Sequence, residues 1–420
     1  MSIESGVDLK EKIPIGWKII PLRWYISCKS GESIDANLIE KEYQQEILLP
    51  VIGGNGIMGY SNMINTSFKT LSIGRVGALC GNVHYIDYPC WITDNSLLIN
   101  YYKDNEINLK FLKLVLEQLN LNHYSTSTAQ PLITGETIKK RKIALPPLDI
   151  QKLIVGYVQQ CTNRIDRMIT LKQNLISLLE EKRQSIISEA VIKGLDSNVK
   201  MKNSSIEWIG EIPEHWISTK VIYYSKLLSG GTPDKENIAY WEDGTINWVT
   251  SGEVNKNFIY EVNSKITKLG LKNSAAKILP VNSVMMALNG QGKTKGKVAV
   301  LKTESTCNQS LAAFICDENK LNYLYLYYYL KSKYRELRGL VGDGLRDGIS
   351  LGLLKSLYMP FPPIKEQKEI ADYLYKNELE IEKNIVHLNQ SINLLKEYHQ
   401  SLIYEAVTGK VDVRESVTEA

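Results

Sequence analysis

The chain carries one long pattern twice, and any fold it adopts has to accommodate both copies. LPPLDIQKLIVGYVQQCTNRID, beginning at Leu145, aligns without a gap with FPPIKEQKEIADYLYKNELEIE, beginning at Phe361, 216 positions further on. Pro146-Pro147 meets Pro362-Pro363, Gln151-Lys152 meets Gln367-Lys368, and Glu189-Ala190-Val191 meets Glu405-Ala406-Val407. The likeness extends upstream in weaker form. Ile13-Pro14-x-x-Trp17 matches Ile212-Pro213-x-x-Trp216, and Ser30-Gly31 matches Ser229-Gly230. Gly74–Val83 corresponds to Gly290–Val300, and Thr93–Ile99 to Cys307–Phe314. A repeat of this kind decides the architecture before any single element does. The two globular parts have diverged while the stretch after the double proline is closely kept. Two explanations fit: a shared partner on a constant frame with different targets on the two heads, or ordinary drift of loops.

After each double proline the spacing turns helical, as a proline-led helix start allows. Apolar residues recur at alternating steps of four and three: Ile165, Ile169, Ile176, Leu179, Ile186, Ala190 in one copy. Ile381, Ile385, Leu388, Ile392, Leu395, Leu402 and Ala406 do the same in the other. That is a coiled-coil seam, interrupted by Lys172, Arg183 and His399 and stopped near Gly194 and Gly409. Each run of about 45 residues predicts a helix of roughly 68 Å. A pseudo-twofold relation between the copies would set the two helices antiparallel, with the heads inverted at opposite ends. Packing of each helix on its own head is the alternative.

The heads read as strands and hairpins with glycine- and asparagine-rich turns, each with one helix, Asn108–Leu119 and Asn322–Gly339. The expected fold is therefore α+β: two mixed domains joined by two long antiparallel coiled-coil helices in a tandem pseudo-twofold repeat. The expected boundaries are 1–147, 148–200 for the central helix, 201–361, and 362–420 for the C-terminal helix. Charge is nearly balanced, 50 Lys and Arg against 46 Asp and Glu, so any nucleic-acid surface must be local. The six cysteines form no CxxC, which disfavours a zinc site or a disulfide framework. Neither a signal peptide nor a membrane span is expected, and a cytoplasmic location is.

Ala287–Thr294 reads ALNGQGKT and falls one glycine short of a phosphate-binding P-loop. Such a loop needs a helix directly after the Lys-Thr pair, whereas Lys295–Val300 reads as a strand. The segment is better read as a glycine hairpin carrying Asn289, Gln291, Lys293, Lys295 and Lys297, with Arg75 on its counterpart in the first copy. It suits phosphate or base contacts, or is a solvated loop. YSTSTAQP (Tyr124–Pro131) holds the place in the first copy that GDGLRDG (Gly342–Gly348) holds in the second. Gln and Arg suit adenine and guanine edges respectively, so Gln130 and Arg346 are candidate base readers, with Tyr124, Ser125 and Thr126 beside them. The tyrosines of Tyr323–Tyr329 read as core in part, with base stacking as the lesser alternative. No paired-carboxylate nuclease pattern, HExxH or amino-methyltransferase motif is present in either copy.

The order IPxxW, SG, glycine hairpin, Asp/Asn–Asn/Gln–Ser, late polar loop, PPL/I-x-x-Q and long helix resembles the specificity subunit of Type I restriction-modification systems, over essentially the full chain, twice. IPEHW (Ile212–Trp216), Pro360–Leu374 and Ser401–Arg414 resemble the family in detail. Ile150 departs from it, standing where an acidic residue, Glu366, precedes the glutamine in the second copy. The resemblance implies a non-catalytic subunit in which each head reads one half of a split, asymmetric site on double-stranded DNA. It implies helices that set the gap and dock two methyltransferase subunits, with Ile165, Ile169, Leu179, Ile186, Ile381, Leu388, Leu395 and Leu402 as candidate partner-binding positions. Two nuclease/translocase subunits would complete the assembly. S-adenosylmethionine, ATP and Mg would sit on those partners and no cofactor on this chain. A methylation-only system or a coiled-coil interaction protein are the competing readings.

Overall fold

The computed structural model describes residues 13–42, 48–101, 105–125, 131–290, 293–341 and 348–416. The chain forms two compact units, one running to Lys172 and resuming at Asn389, the other Gln173–Leu388. Each holds one head together with a part of each long helix, so the compact units cut across both helices rather than ending where they begin.

In the first unit the strands are β1 (Lys18–Pro21), β2 (Ile26–Ser30), β3 (Leu49–Gly53), β4 (Gly56–Ser61), β5 (Thr70–Gly74), β6 (Val83–Ile86), β7 (Trp91–Ile92) and β8 (Ser96–Tyr101). Helix α1 (Leu109–Gln118), the short α2 (Gly135–Lys139) and β9 (Lys142–Leu145) lead into helix α3 (Leu148–Lys193). A four-stranded antiparallel sheet has the order β2-β8-β5-β6, and a smaller one the order β4-β3-β7, with β3 parallel to β7. Every residue of β5 is buried, as expected of a strand covered on both faces. Leu109, Phe111, Leu112, Val115 and Leu116 recur at helical spacing on α1 and join Leu71, Ile73, Leu97 and Ile99 in one core. The Asn108 side chain caps α1, accepting from the Lys110 and Phe111 amides.

The second unit repeats this plan with additions. Its elements are β10 (Met201–Asn203), β11 (Glu211–Pro213), β12 (Ile217–Lys220), β13 (Ser225–Ser229), β14 (Ile246–Val249), β15 (Phe258–Ile259) and β16 (Lys265–Ile266). There follow α4 (Lys268–Lys272), β17 (Val284–Ala287), β18 (Val298–Leu301), β19 (Thr306–Cys307) and β20 (Leu311–Cys316). Then come α5 (Tyr323–Ser332), α6 (Tyr334–Val341), α7 (Leu351–Ser356), β21 (Tyr358–Phe361) and the second long helix, α8 (Ile364–Thr408). The main sheet is β13-β20-β17-β18-β15, one strand wider than in the first unit, beside β16-β14-β19. Asn322 caps α5 as Asn108 caps α1. The single helix expected over Asn322–Gly339 is broken near Lys333 into α5 and α6. Tyr325, Tyr327, Tyr328 and Tyr329 are all fully buried, so they are core and not a stacking surface.

The long helices have 46 and 45 residues. Their portions run antiparallel inside each unit. In the first, Ile154 and Val158 near the start of α3 share a core with Leu402, Ala406 and Val407 near the end of α8, and Thr162 bonds His399 at 2.8 Å. In the second, Ile187, Ala190 and Val191 at the end of α3 share a core with Ile370, Ala371 and Leu374 at the start of α8, and Arg183 meets Glu382 at 3.2 Å. The seam is the one periodicity marks. Ile165, Ile381, Ile385, Ile392, Leu402 and Ala406 are buried, and Ile169, Ile176, Leu179, Ile186, Leu388 and Leu395 half-buried. Met168, Leu171, Leu175 and Leu178 on α3, with Leu379, Val386 and Leu394 on α8, face outward instead. Glycines end both helices in left-handed conformation, Gly194 at φ 80° and Gly409 at φ 76°. Trp216 packs on Gly194 and Trp17 on Gly409, which is what the tryptophan of each IPxxW motif does.

Candidate nucleic-acid interface

In each head the residues that follow the late polar loop meet the glycine hairpin. In the second unit the glycine hairpin is the β17–β18 turn, held by Gly296 N–H donating to Ala287 O and Lys297 N–H to Thr294 O. Because β18 and not a helix follows, the segment is no phosphate-binding P-loop. The residues that follow the late polar loop lie against the hairpin: Ile349 N–H donates to Leu288 O at 2.9 Å, and any side chain at Gly348 would strike the Asn289 amide. Helix α6 braces the tip, with Tyr334 OH donating to Lys293 O at 2.7 Å and Arg338 to Lys295 O at 3.4 Å.

The first unit repeats the pairing between β5 and β6. Ile133 N–H donates to Arg75 O at 2.9 Å and Gly77 N–H to Pro131 O at 3.0 Å, so the residues after its late polar loop also run along the glycine hairpin. The residues that follow the late polar loop thus meet the hairpin at equivalent places in both heads, although the loop sequences differ. The Ser-Gly motif has a separate, structural reason. A Cβ on Gly31 would run into the Thr93 carbonyl, and one on Gly230 into the Cys307 carbonyl, so backbone crosses backbone there.

The candidate contacts sort by position. Asn289 and Lys293 are exposed, and Lys297 is half-buried with its ammonium on Asn255 Oδ1 at 2.7 Å. Lys295 is 5% exposed and so presents almost no surface to DNA, unlike its neighbours in the hairpin. Arg75 is half-buried and ties Ser30 Oγ and Asp94 O at 3.0 and 3.3 Å. Tyr124 is covered on one face by the Arg141 guanidinium, 4.0 Å from its ring centre, and Ser125 is half-buried beside it. Thr126, Gln130, Gln291 and Arg346 lie outside the described residues. Lys265, Lys268, Lys272 and Lys277 are all exposed on one stretch of the second head. Their spacing in sequence marks no motif, and only the fold sets them on a surface.

The candidate partner-binding residues lie along the helix seam. Ile165, Ile381 and Leu402 are buried inside the chain at 5, 6 and 5% exposure, and the other five are at best half open. The three buried ones offer almost no surface to a partner, and the half-buried ones lie along the seam. The outward leucines Leu178 and Leu394 are 60 and 64% exposed and occupy equivalent positions of the two repeats. Trp24 and Tyr223 form a second equivalent pair, 59 and 68% exposed. Among the described residues, no group of three or more His, Cys, Asp and Glu is placed to hold a metal, and no helix is long and apolar enough to cross a membrane.

Comparison with known proteins agrees with this plan. The chain is 22% identical over 377 residues to the Type I restriction enzyme EcoR124I/EcoR124II specificity subunit of Escherichia coli, covering 87% of this chain and 88% of that one. It is 25% identical over 309 residues to the putative type I restriction enzyme MjaX specificity subunit of Methanocaldococcus jannaschii, covering 72 and 68%. Its fold is similar to a chain solved in work on complex assembly and conformational transition of the type I R-M system, with TM-score 0.71, 17% identity and coverage of 96 and 100%. The HsdS subunit from Thermoanaerobacter tengcongensis is also similar, with TM-score 0.57, 16% identity and the same coverage. The family model for the Type I restriction modification DNA specificity domain matches residues 14–180 and again 225–392, so the chain belongs to that family and carries its domain twice.

Proposed function

We propose that this chain is the DNA-reading subunit of a Type I restriction-modification complex. Each head takes one half of a bipartite, asymmetric site through its glycine hairpin and late polar loop, and the paired helices set the gap and dock two methyltransferase subunits. The observation that carries this reading is the contrast between hairpins of different sequence at equivalent places of the two heads and a helical frame whose double prolines, buried glutamines and seam recur in both copies. A constant frame suits a partner present twice; different loops suit two different half-sites. Nothing in the chemistry of the heads calls for a catalytic role, and S-adenosylmethionine, ATP and Mg belong with the partner subunits in this reading.

The methyltransferase contact is assigned to the outward helix face, where Leu178 and Leu394 recur, and not to the seam. A large apolar side chain repeated in the open at equivalent positions suits an interface used twice. Co-purification with the methyltransferase checks this. Leu178→Asp and Leu394→Asp should each lower its stoichiometry, and the double variant should abolish sequence preference in a gel shift on duplex DNA. Full assembly by the double variant would remove the helix face from the interface. A wild-type complex without sequence preference would favour a pure interaction protein.

A further inference from the structure

The two units differ at one place where the repeat predicts likeness. In the second, residues 250–264 leave the small sheet between β14 and β16, make a 3-10 turn at Ser251–Lys256, and add β15 in parallel to the outer edge of β18. Val300 N–H donates to Asn257 O and Lys302 N–H to Ile259 O, both at 2.8 Å. The Phe258 ring then lies 5.5 Å from Tyr327 and 5.9 Å from Tyr375. Behind it, Glu378 accepts from Tyr328 at 2.9 Å and from Lys331. Strand, ring and ion pair together fill the space between sheet, α5 and α8.

The first unit has the walls without the filling. Its β3 and β4 are joined by a tight turn, Gly53 pairing with Gly56, and among the described residues the main sheet ends at β6. Aligned on the capping asparagines and the double prolines, Tyr327, Tyr328, Lys331, Tyr375 and Glu378 give way to Lys113, Leu114, Glu117, Gln159 and Thr162. All five line a groove of about 1160 Å³ between β6, α1 and the helix pair. His84 of β6 lines it too; its Nε2 is buried with no hydrogen-bond partner, and burial holds the imidazole below its usual pKa. The mouth carries Ile57 and Tyr88, 52 and 36% exposed.

We propose that this groove is a docking site for an extended segment of a protein partner. The segment adds to the outer edge of β6, which pairs with no further strand among the described residues, and sets an aromatic side chain between α1 and α3, as β15 does for the second unit from within. Edge strands are templates for such addition, with main-chain bonds supplying affinity and the pocket supplying selectivity. The chemistry of the occupant follows from β15: an aromatic followed by an aliphatic residue in an extended backbone. Because the equivalent place in the second unit is already filled, the site occurs once per chain, unlike the repeated leucine face.

The test uses the full chain and a fluorescein-labelled peptide with the sequence of Gly252–Val262, followed by anisotropy and by amide exchange. Binding should saturate at one peptide per chain and slow exchange across Val83–Tyr88 at least about tenfold. A peptide carrying Phe258→Ala should bind at least about tenfold more weakly. Replacing the Gly54-Asn55 turn with residues 250–264 supplies the strand covalently and should abolish peptide binding. No binding to the wild-type chain, binding that leaves Val83–Tyr88 unprotected, or equal binding of the alanine peptide would each overturn the proposal. Neither DNA nor methyltransferase enters the assay, so its outcome is separate from that of the proposed function.

Discussion

Gln151 and Gln367 explain the most regular short motif in the chain. Each is fully buried just inside a long helix. Gln151 Nε2 donates to Glu106 O and Pro146 O at 2.8 and 2.9 Å, while its Oε1 accepts from Asn108 N–H at 2.7 Å. Gln367 repeats the set on Lys320 O, Pro362 O and Asn322 N–H. The glutamine thus ties the start of the head helix to the start of the long helix. Spacing alone identifies the motif but not this role, because the partners lie about 45 positions away. Leucine at either place would orphan a buried amide and two carbonyls. Gln151→Leu and Gln367→Leu should each cost about 2–4 kcal/mol in urea unfolding, whereas an unchanged midpoint would show the clamp to be idle. The departure at Ile150 also has a local meaning. In the second copy Glu366 accepts from Trp216 Nε1 and bonds His215, both at 2.9 Å. The first copy has Gly16 where His215 stands, so the acid and its imidazole partner are lost together while the tryptophan remains as Trp17. Among the hairpin lysines, exposed Lys293 is the one whose replacement should act on DNA alone. Lys293→Ala should reduce the salt dependence of duplex binding by about one counterion without moving the unfolding midpoint.

At the level of elements, periodicity made the long helices and their seam legible, and glycine spacing made both hairpins legible, since these are local patterns. The break between α5 and α6, the fifth strand β15 and the groove beside β6 were not, because each depends on what a distant segment does. Whether Lys295 is exposed is equally a tertiary matter. The tyrosine helix α5 gives a pH prediction with a definite sign. Burial pushes the phenols of Tyr325, Tyr327, Tyr328 and Tyr329 above their usual range, with Glu378 adding to it at Tyr327 and Tyr328. The unfolded chain releases those protons near pH 10 while the folded unit retains them, so stability is full below about pH 10 and falls above it. Lys331, pulled below the usual lysine range by burial against the pull of Glu378, acts in the opposite sense as one group against four. The first head has Phe111, Lys113, Leu114 and Val115 in those places. Its shifted phenols, Tyr25, Tyr85, Tyr88 and Tyr157, are scattered rather than gathered on one helix. Amide exchange across pH 9–11 (roughly the phenol range) should show the second unit opening first; simultaneous opening of both would contradict this.

For the whole molecule, the duplication visible in the sequence is both a structural and a functional statement. Each unit builds its core from a head and from portions of both long helices, so neither repeat is a free-standing half. In the proposed reading, the recurring helical frame and the two differing hairpins would give a split target with a gap governed by helix length. The most direct test is long-read methylation mapping after co-expression with the methyltransferase. It would compare the natural chain with a variant carrying four extra residues, about one turn, in both α3 and α8. The natural chain should mark one asymmetric bipartite sequence, and the variant should keep both half-sites while changing the number of bases between them. A continuous methylated sequence, or a variant that stays active with its gap unchanged, would contradict the account.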